Sequence, residues 1–229
     1  MDNNWHEIWN NRVLESSEKL NLEALIRLDG FDTGVAQISS SAWLDGVARM
    51  AELIGIEDGE SVFEFGCGSG AFLCALKKVR AIKGAGIDYS HSLIEIAKRA
   101  LPEMHFTCEE AQNVSPDIEY NYCISHSVFH YFDTAYAEKV LGIMAAKARK
   151  AVIVLEIPDA ETREAAETIR RDKLTQDEYE QKYAGLEHNY YPRKWFSDQA
   201  LKLNMTCKFI ENQIHYGQKD FRYGCILEK

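Results

Sequence analysis

Apolar and polar positions alternate along this chain with two different periods. Between residues 4 and 28, Trp5, Ile8, Trp9, Val13 and Leu14 recur at three- and four-residue spacing and "NLEALIRL" resumes the pattern, which predicts helix over this stretch. Two glycines and a serine run in "DGFDTGVAQISSS" interrupt it and predict a loop. A helix capped by Ser41 follows, "SAWLDGVARMAELIGI", whose Trp43, Leu44, Val47, Met50 and Leu53 or Ile54 make one apolar stripe. From residue 61 onward the period changes. The runs "SVFEF", "KGAGI", "MHFTC", "YNYCIS" and "KAVIVLE" are β-branched or aromatic, and "AFLCALKKV", "SHSLIEIAKRAL" and "DTAYAEKVLGIMAAKA" between them are helical in pattern and long enough for a crossover. Such alternation predicts βαβ units, hence a parallel sheet with helices on both faces. A highly charged stretch over 159–188 comes next, then a helix opening at Pro192, "PRKWFSDQALKLN". The last two runs, "MTCKFIENQ" and "FRYGCILEK", are joined by a polar turn containing Gly217, and so short a link requires an antiparallel pair.

Length and composition narrow the function. A chain of 229 residues suits one sizeable core, so a single domain over 1–229 is expected, with 1–40 as a helical cover and 159–191 as a helical lid or insertion. The charge of −10, from 26 basic and 36 acidic residues, argues against a surface that tracks the phosphates of DNA or RNA and favours a small-molecule partner. No run approaches the roughly 18 apolar residues of a membrane span, and "MDNNWHEIWN" lacks the regions of a signal peptide, so the expected location is cytoplasmic. The six cysteines include no CxxC pair and no histidine at zinc-ligand spacing; neither a disulfide framework nor a metal site is expected.

The first strand breaks into Gly66, Gly68 and Gly70. After a strand, such a turn lets the backbone approach a ligand and aims the next helix's first N–H groups at it. Two patterns overlap there. Gly66, Gly68 and Ala71 satisfy the dinucleotide fingerprint GxGxx[GA], and Asp88, 18 residues past Gly70, is placed to hold a ribose hydroxyl, which supports an NAD-binding reading. Yet Glu64-Phe65-Gly66-Cys67-Gly68-Ser69-Gly70 also reads acidic-x-Gly-x-Gly-x-Gly. This segment resembles the first motif of class I S-adenosylmethionine-dependent methyltransferases. A carboxylate at the turn repels a pyrophosphate and attracts the amino group of a methionine moiety, so Glu64 favours the methyl donor.

Further segments resemble that family in its order. "GAGIDYS" puts Asp88 where the resemblance implies a two-oxygen acceptor for the ribose hydroxyls, with Tyr89 near the adenine. Ser90 caps the following helix and leaves Asp88 to the ribose, and it falls within the same implied cofactor site. "HFTCEEAQNV" resembles the third motif, which implies adenine contacts from Glu110 and Ala111, with glutamate where aspartate is commoner. "YNYCISHSVFHYF" resembles the fourth strand and its exit loop, which implies that Ser125 and its neighbours lie under the transferring methyl; Asn121 stands where the family often has aspartate. Cys67 belongs to the site through the first motif. The resemblance covers about residues 41–229 and implies a Rossmann-like, doubly wound, seven-stranded, mostly parallel sheet with an antiparallel last strand, N-terminal helices and a helical insertion after the fifth strand.

The acceptor side is carried by His126 and His130 on the fourth-strand loop and by His188 in "LEHNYYPRKWF". An imidazole is a base near neutral pH, while the competing role for each is packing or hydrogen bonding. Tyr131, Tyr190 and Tyr191 are expected to complete an aromatic pocket around them. Trp5 and Trp9 read as a core stripe, or as a cover over the cofactor if the first helix folds across the site. The combined expectation is a monomeric or homodimeric enzyme of small-molecule metabolism that moves a methyl from S-adenosylmethionine to an oxygen or nitrogen. An NAD-dependent oxidoreductase and a non-catalytic cofactor-binding module are the alternatives.

Overall fold

A computed structural model describes residues 4–15, 18–31, 37–171, 175, 177–178, 188–211 and 219–229. Residues 172–174, 176 and 179–187 of the expected lid, the turn at Gly217 and residues 32–36 of the first loop lie outside the described residues.

The strands are β1 (Ser61–Phe65), β2 (Lys83–Asp88), β3 (His105–Cys108), β4 (Tyr120–His126), β5 (Ala148–Pro158), β6 (Thr206–Ile210) and β7 (Arg222–Glu228). They form one sheet in the order β3-β2-β1-β4-β5-β7-β6. Strands β1 to β5 run parallel, and β7 lies antiparallel between β5 and β6. The chain winds outward from β1 to β3, then restarts at β4 on the other side of β1. That reversal opens a crevice at the carboxyl ends of β1 and β4, where doubly wound sheets bind ligands.

Strand alternation splits the core in two. Val62, Tyr122, Ile124, Ile153 and Leu155 pack on one face with helices α2 (Leu22–Leu28), α3 (Ser40–Ile54), α4 (Ala71–Val79) and α5 (His91–Ala100). Phe63, Phe65, Cys123, Val152 and Val154 pack on the other with α6 (Thr134–Lys147) and α8 (Arg193–Lys202), and α7 (Arg163–Arg171) follows β5. Each fully buried Leu, Val or Phe contributes about 1.5–3 kcal/mol relative to exposure. Glu64 belongs by alternation to the first of these apolar faces.

Two local expectations are corrected and one alternative is decided. Residues 4–28 are two helices, α1 (Asn4–Asn10) and α2, because the polar linker and the Asn21 cap, which accepts from Ala24 N at 3.0 Å, restart the backbone; Val13, 61% exposed, is no core position. Ser39, not Ser41, caps α3 by accepting from Ala42 N. Leu53 is 56% exposed, so Ile54 completes the stripe. Trp43 in that stripe is fully buried, donates Nε1 to Ala71 O at 3.4 Å and ties α3 to the start of α4. Helix α8 opens after Pro192, as its sequence predicts.

Two non-glycine residues adopt left-handed backbone at adjacent strand ends: Ser127, φ 58°, after β4 and Glu156, φ 60°, in β5. The Ser127 N–H still donates to Leu155 O at 3.0 Å, and the β5–β7 register shifts between Val154 and Ile157. Each such conformation costs about 1–3 kcal/mol and persists only where its surroundings enforce it. Both lie at the carboxyl edge, beside the crevice.

Candidate cofactor and acceptor site

Strand β1 delivers the glycine turn to the crevice. Gly66 N and Cys67 N both donate to Ile87 O at 2.8 Å, which continues the parallel ladder into the turn. Gly66 and Gly68 hold φ of 72° and 52°. A Cβ on Gly66 would fall 2.5 Å from Val128 Cγ2, and one on Gly68 would fall 2.4 Å from Asp29 Oδ1. Both positions thus need glycine for backbone conformation and for space.

Three carboxylates gather on this turn. Asp88, at the end of β2, accepts from Gly68 N at 3.0 Å and from Ser90 N at 2.8 Å. Asp29, just after α2, accepts from Ser69 N at 2.7 Å and from Ala71 N at 3.2 Å, where α4 begins. Glu64 is 2% exposed, and its Oε2 is buried without a hydrogen-bond partner. Burial raises all three: Asp29 to about 7, Asp88 to about 6, and Glu64 well above the usual carboxylate range, with the charges of Asp29 and then Asp88 pushing Glu64 further. A buried carboxylate oxygen with no donor is costly, and a ligand that brings a cation removes the cost. Cys67 is buried and its thiol is held up by desolvation and by the same carboxylates, which makes it an inert packing group against Gly86.

The next part of the crevice is covered by α1. His6 lies over Tyr89 with ring centroids 4.2 Å apart, and its Nε2 is 3.2 Å from Glu110 Oε1. Tyr89 donates its hydroxyl to Trp5 O, and Tyr136 donates to Glu110 Oε2 at 3.1 Å. Ser90 caps α5, accepting from Leu93 N, and donates to Trp9 O at 3.0 Å. Ala111, also buried, starts a short 3₁₀ turn beside Glu110. Asp88, Tyr89, Glu110 and Ala111 are therefore brought together, with His6 against them.

The acceptor side divides the histidines. His130, on the 3₁₀ turn Phe129–Tyr131, is buried, and its ring centroid is 4.3 Å from His188 and 4.0 Å from Tyr131. Trp5 packs on both Tyr131, at 4.9 Å, and His188, at 5.4 Å, and its buried Nε1 has no hydrogen-bond partner. Asn189 N donates to His130 O at 2.8 Å and holds the segment carrying His188 against the loop.

Other assigned residues have structural partners. His126 is stacked on Phe72 at 5.3 Å and packed against Trp43 and Phe31; burial lowers its pKa to about 3, so its ring is a neutral and very weak base. That corrects its assignment as a base to one of packing. Ser125 is fully buried and donates its hydroxyl to Phe65 O at 3.2 Å, bracing β4 on β1 rather than facing the crevice. Tyr191 is a core residue whose hydroxyl goes to the carbonyls of Phe129 and Phe132, not a pocket wall. Asn121 Oδ1 accepts from Ser61 N and Ser61 Oγ and clips β4 to β1.

Asp29 and His6 are absent from the sequence-based site. "LDGF" reads as an ordinary helix-ending turn, and His6 sits on a short helix far from every motif. Nothing local in either stretch signals a long-range partner.

The residues fit a ligand with a nucleoside and a cationic end: a donor-less buried carboxylate, two more carboxylates on the same turn, and glycine at every second position of that turn. Among the described residues no cluster of His, Cys, Asp or Glu suits a metal ion, and no helix is long and apolar enough to cross a membrane.

Comparison with known proteins agrees with this architecture. The plantazolicin methyltransferase BpumL, solved in complex with SAH, superposes with a TM-score of 0.64 at 14% identity over 98% of this chain and 93% of that one. The magnesium protoporphyrin IX methyltransferase of Synechocystis PCC 6803, solved with bound SAM, gives 0.59 at 16% identity over 99% and 91%. At such identities the likeness shows the fold. A ribosomal protein L11 methyltransferase of Xanthomonas oryzae pv. oryzae (strain MAFF 311018) is 36% identical over 110 residues, 45% of this chain and 32% of that protein. The match thus spans about a third of that relative's length. The family model described as "Methyltransferase domain" matches residues 36–206, well over half of the chain. The chain therefore belongs to the methyltransferase domain family, the class I S-adenosylmethionine-dependent methyltransferases.

Proposed function

We propose that this protein transfers the methyl group of S-adenosylmethionine to an oxygen or nitrogen of a small-molecule acceptor. The observation that carries the reading is the buried, donor-less Glu64 carboxylate at the glycine turn of the switch point. A pyrophosphate there would push the pKa of these carboxyl groups up still further, whereas a cation favours their ionised form, which favours the methyl donor over a dinucleotide. When bound, the cofactor supplies a sulfonium methyl that is already electrophilic. The protein's tasks are then to align the acceptor and to exclude water. Asp88 holds the ribose hydroxyls, and Tyr89, Glu110 and Ala111 face the adenine. His130 and His188 stand at the acceptor side, where either takes the proton of a hydroxyl acceptor; an amine acceptor needs no such base. The Trp5 indole N–H offers a buried donor to a polar acceptor in the same cluster.

Enclosure supports a small acceptor. Helix α1 touches both halves of the crevice, His6 on Tyr89 and Trp5 on Tyr131, which favours an acceptor small enough to sit beneath the helix. The acidic charge favours an enzyme of small-molecule metabolism over one that works on nucleic acid; a cytoplasmic location and a monomer or homodimer remain part of the same proposal.

Calorimetry with S-adenosylhomocysteine and with NAD, followed by radiolabelled methyl transfer to a metabolite panel and to ribosomal protein L11, tests the proposal. Binding of S-adenosylhomocysteine and a labelled metabolite are expected. NAD affinity without S-adenosylhomocysteine affinity overturns the cofactor, label on L11 alone overturns the acceptor class, and binding without any transfer leaves a binding module.

A further inference from the structure

The segment before the family match contributes a charge to the glycine turn. Asp29 ends α2, outside residues 36–206, yet its carboxylate lies against Gly68 and accepts from two N–H groups of the turn. Ser69 strengthens the junction by donating its hydroxyl to Leu25 O at 3.1 Å, and Arg12 donates to Arg27 O at 2.8 Å on the same short helix. Capping the first N–H groups of α4 is one job for Asp29. It does not account for the rest of the geometry. A cap at a helix start is ordinarily exposed, whereas Asp29 is half-buried against the turn into which the Glu64 strand leads, and its charge is the one that most raises the Glu64 pKa. Each carboxylate oxygen has two acceptor directions, and the two N–H bonds use one on each. Glu64, on the strand that leads into the same turn, is 2% exposed and its Oε2 has no donor.

We propose that Asp29 is a cofactor-binding residue which, with Glu64, receives the ammonium of the methionine end of the cofactor. The inference rests on the S-adenosylmethionine reading above. The pair would hold that end as a compact cation between two acceptors, one from the sheet and one from the N-terminal helices. It gives α2 a role in binding as well as in cover, and it explains why position 68 has no side chain: any Cβ there would displace Asp29.

The test separates charge recognition from capping by using two ligands. S-adenosylhomocysteine carries the amino-acid end; 5′-methylthioadenosine keeps the nucleoside and the thioether but lacks the ammonium and carboxylate. Calorimetry at pH 7.5 is carried out on the wild type and on Asp29→Asn, which keeps an acceptor oxygen for the turn. The expected result is a loss of about 10- to 150-fold in S-adenosylhomocysteine affinity, the range of a hydrogen bond to a charged group, with methylthioadenosine affinity unchanged within about twofold. Unchanged affinity for S-adenosylhomocysteine overturns the proposal, as does an equal loss for both ligands, which would mean that Asp29 only shapes the turn. A wild type that binds neither ligand overturns the cofactor reading itself. If Asp29→Asn does not fold by thermal unfolding, Asp29→Ser, whose hydroxyl still caps the helix, takes its place under the same criteria.

Discussion

The two halves of the crevice are built from opposite materials. On the proposed cofactor side, three carboxylates and a run of backbone N–H groups converge on one turn, and desolvation first of all raises the pKa of each carboxylate. On the proposed acceptor side the material is rings: Tyr131 and His188 each pack on Trp5, on His130 and on one another, with centroids 4.0–5.9 Å apart. The first half is fixed by the main chain and complements charge; the second is fixed by side-chain packing and complements shape. A single cofactor with a constant cationic end suits the first construction. An acceptor that changes from one relative to another suits the second, because rings can be exchanged without rebuilding the backbone. Helix α1 touches both, His6 on the first and Trp5 on the second.

If the cofactor half is truly built on backbone, a side chain in its turn should break it completely. Gly68→Val places a β-branched residue at φ 52° and drives its Cβ into Asp29. The expected outcome is no measurable S-adenosylhomocysteine heat with the far-ultraviolet spectrum retained; normal binding would show that the turn accommodates side chains. The acceptor half should answer differently. His130→Ala or His188→Ala should lower methyl transfer about 10²- to 10⁴-fold if the altered ring is the general base, with S-adenosylhomocysteine affinity within a few-fold. Equal loss of binding and turnover would erase the distinction between the halves.

The same contrast explains what the sequence made legible. Each parallel strand follows from its own β-branched run, and Gly66, Gly68 and Asp88 follow from one strand–turn–helix pattern, because those features are local. Asp29 and His6 are not legible, since their roles arise from contacts with residues 40 and 104 positions away. His126 fails for a related reason. It lies four residues from His130 on the same strand and loop, yet strand alternation turns its ring toward Phe72 and Trp43, and only the packing of α3 and α4 shows that this side is dry. Ser125, one position earlier, looks the other way and is spent on Phe65 O.

Smaller effects sharpen the cofactor half. Asp88→Ala should weaken S-adenosylhomocysteine about 10- to 150-fold by removing a charged acceptor for the ribose, and an unchanged dissociation constant would reduce Asp88 to its bonds with Gly68 and Ser90. Proton linkage should appear as well. Asp29, near 7, and Asp88, near 6, must ionise to serve a cationic ligand, together with Glu64, while His6 faces Asp88 from α1. S-adenosylhomocysteine affinity should therefore rise with pH between 5.5 and 7.5, by close to tenfold per unit for each proton released. A flat profile would mean that these carboxylates do not meet the ligand's charge.

The smallest effect tests whether His126 belongs to either half. A histidine with folded pKa near 3 and an unfolded value near 6.5 favours the folded state fully only above 6.5, and its contribution is lost as pH falls toward 3. Asp29 and Asp88 act in the opposite sense: their raised values stabilise the folded protein most at low pH, and that stabilisation is lost as pH rises from about 4 to 6–7. The two trends overlap in the wild type, so its own stability curve is uninformative. The difference between wild type and His126→Phe isolates the histidine. Phenylalanine joins Phe31, Trp43 and Phe72 without a titrating group, so the variant should gain about 1.4 kcal/mol relative to wild type between pH 7.5 and 5.5 in urea unfolding. Methyl transfer should stay within about twofold, since no proton would pass through a ring so weakly basic. Parallel stability curves with a hundredfold loss of turnover would return His126 to the acceptor side, and the division between a charged half and an aromatic half would have to be redrawn around it.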